Sequence, residues 1–130
     1  MTPLPGLGRH VLPALVVEDD EGLRAYLVAV LEHHGFEVVA AGSAEEATAL
    51  LRGRRAQLAV LDVGLPGEDG FAVADSLGDD VPVIIVTGDP VNAYAKARMR
   101  PDLRYDVLPK PFSPELFEHA VARATLDTAV

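Results

Sequence analysis

Short, wholly apolar runs alternate with longer segments of helical periodicity along this chain. Ala14–Val17 is a compact run of the kind a strand buried on both faces shows. From Glu21 to His34, Leu23, Leu27, Val30 and Leu31 recur at helical spacing, and Gly35 follows as a C-terminal stop. Glu37–Ala41 reads as a second strand. Ser43 with Glu46 three residues on is a capping box, and Ala47, Leu50 and Leu51 give the following helix an apolar face. Leu58–Leu61 is a third strand, and Gly70 opens a weaker helix over Phe71–Leu77. Val83–Val86 is a β-branched run that Pro82 can precede, because proline is tolerated at a strand start. A helix of less definite extent is expected around Val91–Arg98, then a short strand at Val107–Leu108. Ser113 as cap and Pro114 at the first helical position begin the last helix, with Leu116, Phe117, Ala120, Val121 and Ala124 inward.

Five strands and five helices in strict alternation predict an α/β fold. Parallel strands need crossover connections, and helical crossovers cover both faces of the sheet, so the expected architecture is a single doubly wound domain. A chain of 130 residues that is 49% hydrophobic has the core for one such domain and little room for another. The expected division is a leader over residues 1–12 and a domain over 13–127, with no output domain.

Composition narrows the function. There is no cysteine, which removes disulfides and Cys-based zinc sites. A net charge of −9 argues against nonspecific binding to DNA or anionic lipid. No apolar stretch is long enough to span a membrane. The N-terminus is broken by Pro3, Pro5 and Pro13 and does not read as a signal peptide. A soluble cytoplasmic protein is the expectation.

In an open parallel sheet, ligands bind beyond the carboxyl ends of the strands, so what ends each strand matters. The first run ends in Glu18-Asp19-Asp20, the third in Asp62, the fourth in Thr87-Gly88, and the fifth leads into Lys110-Pro111. Acids after a strand are commonly solvated helix-start charges, and Asp62, Thr87 and Lys110 each have an ordinary surface explanation when taken alone. Four strand ends with compatible chemistry are harder to ascribe to coincidence. Clustered carboxylates repel unless neutralised. Hard oxygen donors without histidine or cysteine suit Mg2+, the ion that phosphoryl chemistry uses to offset charge. Lys110 would add a point charge, Thr87 a hydroxyl donor, and Gly88 an amide unobstructed by a Cβ.

The segments Ala14–Asp20, Leu61–Gly67 with Gly70, Val86-Thr87-Gly88 and Leu108-Pro109-Lys110-Pro111-Phe112, in this order and spacing, resemble the signatures of bacterial response-regulator receiver domains. The resemblance runs from Ala14 to Leu126. It implies a flavodoxin-like sheet of order 2-1-3-4-5. It also implies that Asp62 takes a phosphoryl group from the phosphohistidine of a histidine kinase or histidine phosphotransfer protein and signals to a downstream protein. On the same footing, Asp19 would ligate Mg2+ directly, Glu18 would act mainly through water, and the Gly64 carbonyl would complete the protein's share. Thr87 would bind the phosphoryl oxygen and act as switch, Lys110 would pair with the phosphoryl group, and the Lys110-Pro111 bond would be cis. Asp20 would simply cap the first helix.

Two departures stand out. The family often carries Tyr or Phe three residues before the lysine; here the residue is Val107, which cannot swing as a ring does, and Tyr105 lies two residues earlier. The stretch Asp89–Arg104 contains Pro90 and Pro101 and has weak periodicity. Its basic residues Lys96, Arg98, Arg100 and Arg104 read first as a solvated face, with docking of an acidic partner as the alternative. A phosphate-independent binding module of the same fold is the competing function. An aspartate-nucleophile phosphohydrolase would need a second carboxylate where Gly64 stands. A flavin module would find its phosphate repelled by Glu18-Asp19-Asp20.

Overall fold

The computed structural model describes residues 12–63, 70–77 and 80–129, the last four by backbone alone. The five strands are β1 (Ala14–Val17), β2 (Val38–Ala41), β3 (Leu58–Asp62), β4 (Val83–Thr87) and β5 (Tyr105–Pro109). All pair in parallel, in the order β2-β1-β3-β4-β5. The helices are α1 (Glu21–His33), α2 (Ala44–Leu51), α3 (Gly70–Leu77), α4 (Pro90–Ala97) and α5 (Pro114–Ala129).

Strand period and helix placement agree. Leu15, Val17, Ala59, Leu61, Val83 and Ile85 face one way and pack with α2, α3 and α4. Their neighbours Ala14, Val16, Leu58, Val60, Ile84 and Val86 face the other way and pack with α1 and α5. Two-sided burial is why these strands read as unbroken apolar runs. Local signals act where expected. Asp20 caps α1 by accepting the Leu23 N–H at 2.7 Å. Ser43 accepts from the Glu46 N–H at 3.1 Å, and Glu46 reaches back to the Gly42 N–H at 2.8 Å. Gly35, just beyond α1, has φ +93°, a conformation glycine adopts without steric cost.

Some expectations need correction. Leu116 is 50% exposed and Leu50 lies at the surface, so neither belongs to the core. Leu116 occupies the first turn of α5, ahead of the stripe formed by Phe117, Ala120, Val121 and Ala124. The last strand is longer than Val107–Leu108, because pairing with β4 recruits Tyr105 and Asp106 without any local alternation. The second strand starts at Val38, one residue late. The leader, except Leu12, and Gly64 fall outside the described residues. Among those described, no helix is long and apolar enough to cross a membrane.

Candidate functional site

The order β2-β1-β3 makes the chain leave β1 and β3 in opposite directions, which opens a crevice between their carboxyl ends. Glu18 and Asp19 follow β1, and Asp62 is the last residue of β3. One carboxylate oxygen from each of Glu18, Asp19 and Asp62 lies within 4.8 Å of the others. Glu18 is fully buried, Asp62 nearly so, and Asp19 is exposed.

Lys110 enters this cluster from the end of β5. Its Nζ donates to Asp62 Oδ2 at 3.2 Å and lies 3.0 Å from Glu18 Oε1. The second contact is an ion contact without hydrogen-bond alignment, so that buried oxygen keeps unused acceptor capacity. Glu18 Oε2 accepts from the Asp20 N–H at 3.0 Å. Burial pushes the Glu18 carboxyl above its ordinary range and the charge of Asp62 adds to this, while the Asp20 N–H and Lys110 pull it back. For Lys110, burial works against the charge. The close contact with Glu18 and the charges of Asp62 and Glu18 outweigh it, so the ammonium is held above the usual lysine range.

Thr87, at the end of β4, is buried beside this group. Its carbonyl accepts the Lys110 N–H at 2.6 Å, which ties the two strand ends together. Its Oγ1 accepts the Asp89 N–H at 2.9 Å, leaving the hydroxyl proton to donate elsewhere. Asp89 in turn caps α4 by accepting the Asn92 N–H at 3.2 Å. A Cβ added to Gly88 would meet no atom within 4 Å, so protein packing does not impose glycine there. The Lys110-Pro111 bond is cis.

Glu18, Asp62 and Lys110 are thus in direct contact, and Asp19 and Thr87 stand at the same edge. The donor set is oxygen only, and a buried carboxylate oxygen retains capacity, which fits a hard divalent cation. Sequence reasoning named Gly70 without its contact to Asp62, and it missed Arg24. A Cβ on Gly70 would sit 2.8 Å from the Asp62 carbonyl oxygen, so glycine lets α3 start directly against Asp62. Arg24 Nη1 donates to the Glu18 carbonyl at 2.9 Å. The Gly70 contact leaves no pattern in sequence, whereas a lone arginine one turn into a helix behind an acidic loop is a signal that could have been weighed.

The basic residues after Thr87 do not form one solvated face. Arg100 makes a two-pronged pair with Asp75, at 2.9 and 2.8 Å, and its guanidinium lies 5.0 Å from the centre of the Phe71 ring. Arg104 donates to the Asp80 carbonyl at 3.3 Å. Val107 is buried on the α2–α3–α4 side, where Tyr105 packs against the same cluster.

A doubly wound five-stranded parallel sheet with three carboxylates and a lysine at its crevice defines a class of aspartate-bearing α/β domains. Within it, the model of the response regulator receiver domain matches residues 14–122, and the chain belongs to that family. It is 36% identical over 108 residues to the probable transcriptional regulator ycf27 of Cyanophora paradoxa, covering 80% of this chain and 44% of that protein. To protein PetR of Rhodobacter capsulatus it is 37% identical over 105 residues, 78% of this chain and 43% of that one. The chain thus spans less than half the length of these curated relatives. Among solved structures, the non-phosphorylated HemR receiver domain of Leptospira biflexa is 32% identical with TM-score 0.74, covering 87% of this chain and 93% of that one. A CheY-like receiver domain protein from Methanospirillum hungatei, 23% identical with TM-score 0.75 over 92% of this chain and 98% of its own, shares the fold.

Proposed function

We propose that this receiver domain accepts a phosphoryl group onto Asp62 from the phosphohistidine of a histidine kinase or histidine phosphotransfer protein. The observation that carries the reading is Lys110, whose ammonium is held between Asp62 and Glu18 at the mouth of the crevice. A carboxylate oxygen of Asp62 attacks phosphorus, the P–N bond to the imidazole breaks, and an acyl phosphate forms. Lys110 places positive charge at the phosphoryl oxygens, and the Thr87 hydroxyl and the Gly88 amide donate to them. Glu18, Asp19, Asp62 and the Gly64 carbonyl would hold Mg2+, which offsets the charge of the transferred group.

On this reading the chain is a phosphoacceptor with slow self-dephosphorylation, not an enzyme turning over an external substrate. It acts in the cytoplasm by contact with a downstream protein. The transcriptional role of the relatives does not assign DNA binding to these residues, whose net charge opposes it.

Phosphoramidate, a small P–N phosphoryl donor, tests this directly. The intact mass should rise by one phosphoryl group when Mg2+ is present and stay unchanged when a chelator removes it. No gain, under conditions that label another receiver domain, would leave a phosphate-independent protein-binding module of the same fold.

A further inference from the structure

Pairing of β1 with β2 stops at Val17 and Ala41, although the Glu18 N–H still donates to the Ala41 carbonyl at 3.0 Å. In a continued parallel ladder, the Glu18 carbonyl would accept the N–H of Ser43. The chain turns into α2 there instead, with Ser43 as its cap. Arg24 takes that acceptor from one turn into α1, its Nη1 2.9 Å from the Glu18 oxygen. Its contact with the exposed Glu21 is loose, at 4.0 Å, and does not set its position. Gly42 flanks the guanidinium closely: a Cβ there would lie 3.2 Å from Nη1.

The carbonyl that Arg24 holds belongs to the peptide joining Glu18 to Asp19. Glu18 has other anchors in its burial, Lys110 and the Asp20 N–H. Asp19 is exposed, and no hydrogen bond to its carboxylate is found among the described residues, so its aim depends on the backbone plane behind it. We infer that Arg24 is a positioning residue for the divalent cation, fixing the Glu18–Asp19 peptide so that Asp19 points at the crevice. This rests on the magnesium reading above.

Charge and positioning predict opposite signs. A cation near the site repels a metal ion, so as a bare charge Arg24 would weaken binding, and its removal would tighten it. As a positioning group its removal weakens binding, on the scale known for residues that orient metal ligands, about tenfold. The test is calorimetric titration of Mg2+, with Mn2+ followed by electron paramagnetic resonance, into wild type, Arg24→Ala, Arg24→Lys and Gly42→Ala, with thermal unfolding as a check on folding. The expected result is a dissociation constant about tenfold higher in Arg24→Ala. Arg24→Lys should recover part of the loss, and Gly42→Ala, which changes no charge, should show a smaller loss. Unchanged or tighter binding in Arg24→Ala overturns the inference. If that variant does not fold, wild-type affinity in both Arg24→Lys and Gly42→Ala overturns it. A wild type that binds no Mg2+ removes the magnesium reading itself, and the inference falls with it.

Discussion

The crevice at the ends of β1, β3 and β5 and the α4 side of the molecule are built in different ways. The crevice stands on β1 and β3, buried along their full length, and Glu18 and Asp62 are tied to one another through Lys110. Helix α4 buries only Ala93 and Ala97, while Val91, at 79% exposure, and Met99 in the turn after it, at 81%, face solvent. By contrast α5 commits Phe117, Ala120, Val121 and Ala124 to the core. Little apolar burial means low local stability, so α4 is more easily displaced than α5. It is held at its ends, by the Asp89 cap and by Arg100 on Asp75 and Phe71. With Val107 where the family often has a ring, the hydrogen bond from the Asp89 N–H to Thr87 is a direct link between the two regions. A buried, ion-paired carboxylate site is thus joined to a lightly held helix.

The sharpest break in this comparison is Lys110→Ala. It leaves Asp62 and the buried Glu18 without their shared cation, and labelling by phosphoramidate should slow by about a hundredfold or more. Hydrogen exchange of the α4 amides should stay as in wild type.

Next in size is the pH response, where the two regions have opposite signs. The folded Glu18 carboxyl is raised above its unfolded value of 4.5, so the folded state binds the extra proton, and this group adds stability as pH falls through its raised value towards 4.5. The Arg100 hydrogen bond holds Asp75 below its unfolded value of 3.8, so its contribution is present above that value and lost as pH falls through the lowered one. Urea unfolding of wild type minus Glu18→Gln, across the acid range, should show the first trend. Wild type minus Asp75→Asn should show the second.

Asp89→Ala removes the α4 cap at a cost of about 1 kcal/mol, read as faster exchange of the α4 amides with phosphoryl labelling retained. Arg100→Ala should cost less than about 1 kcal/mol because its partner Asp75 is more than half exposed, and the loss should shrink further at high salt. A larger, salt-independent loss would assign the clamp to packing on Phe71.

The crevice was legible in sequence for a physical reason. A parallel sheet buried on both faces writes each strand as an apolar run, so the residue that ends it is visible and the topology delivers those ends to one edge. Asp62, Thr87 and Lys110 could be placed in this way before any coordinates. Order 2-1-3-4-5 could not, since nothing local states which strands pair; it came from resemblance. The α4 side was poorly legible because long-range contacts define it. Asp75 and Arg100 lie far apart in sequence, and each alone reads as a solvated charge. Leu116 and Leu50 misled for the converse reason, because an apolar residue near a helical stripe is not obliged to be buried.

The central claim is that the buried carboxylate of Asp62 is the phosphoryl acceptor. Its most direct test is borohydride trapping after treatment with phosphoramidate and Mg2+, which reduces an acyl phosphate to an alcohol, followed by peptide mapping. Conversion of residue 62 to homoserine, with none in an Asp62→Asn control, is the predicted result. Conversion at Asp19 or another carboxylate, or a phosphoryl group retained on a histidine, would contradict it.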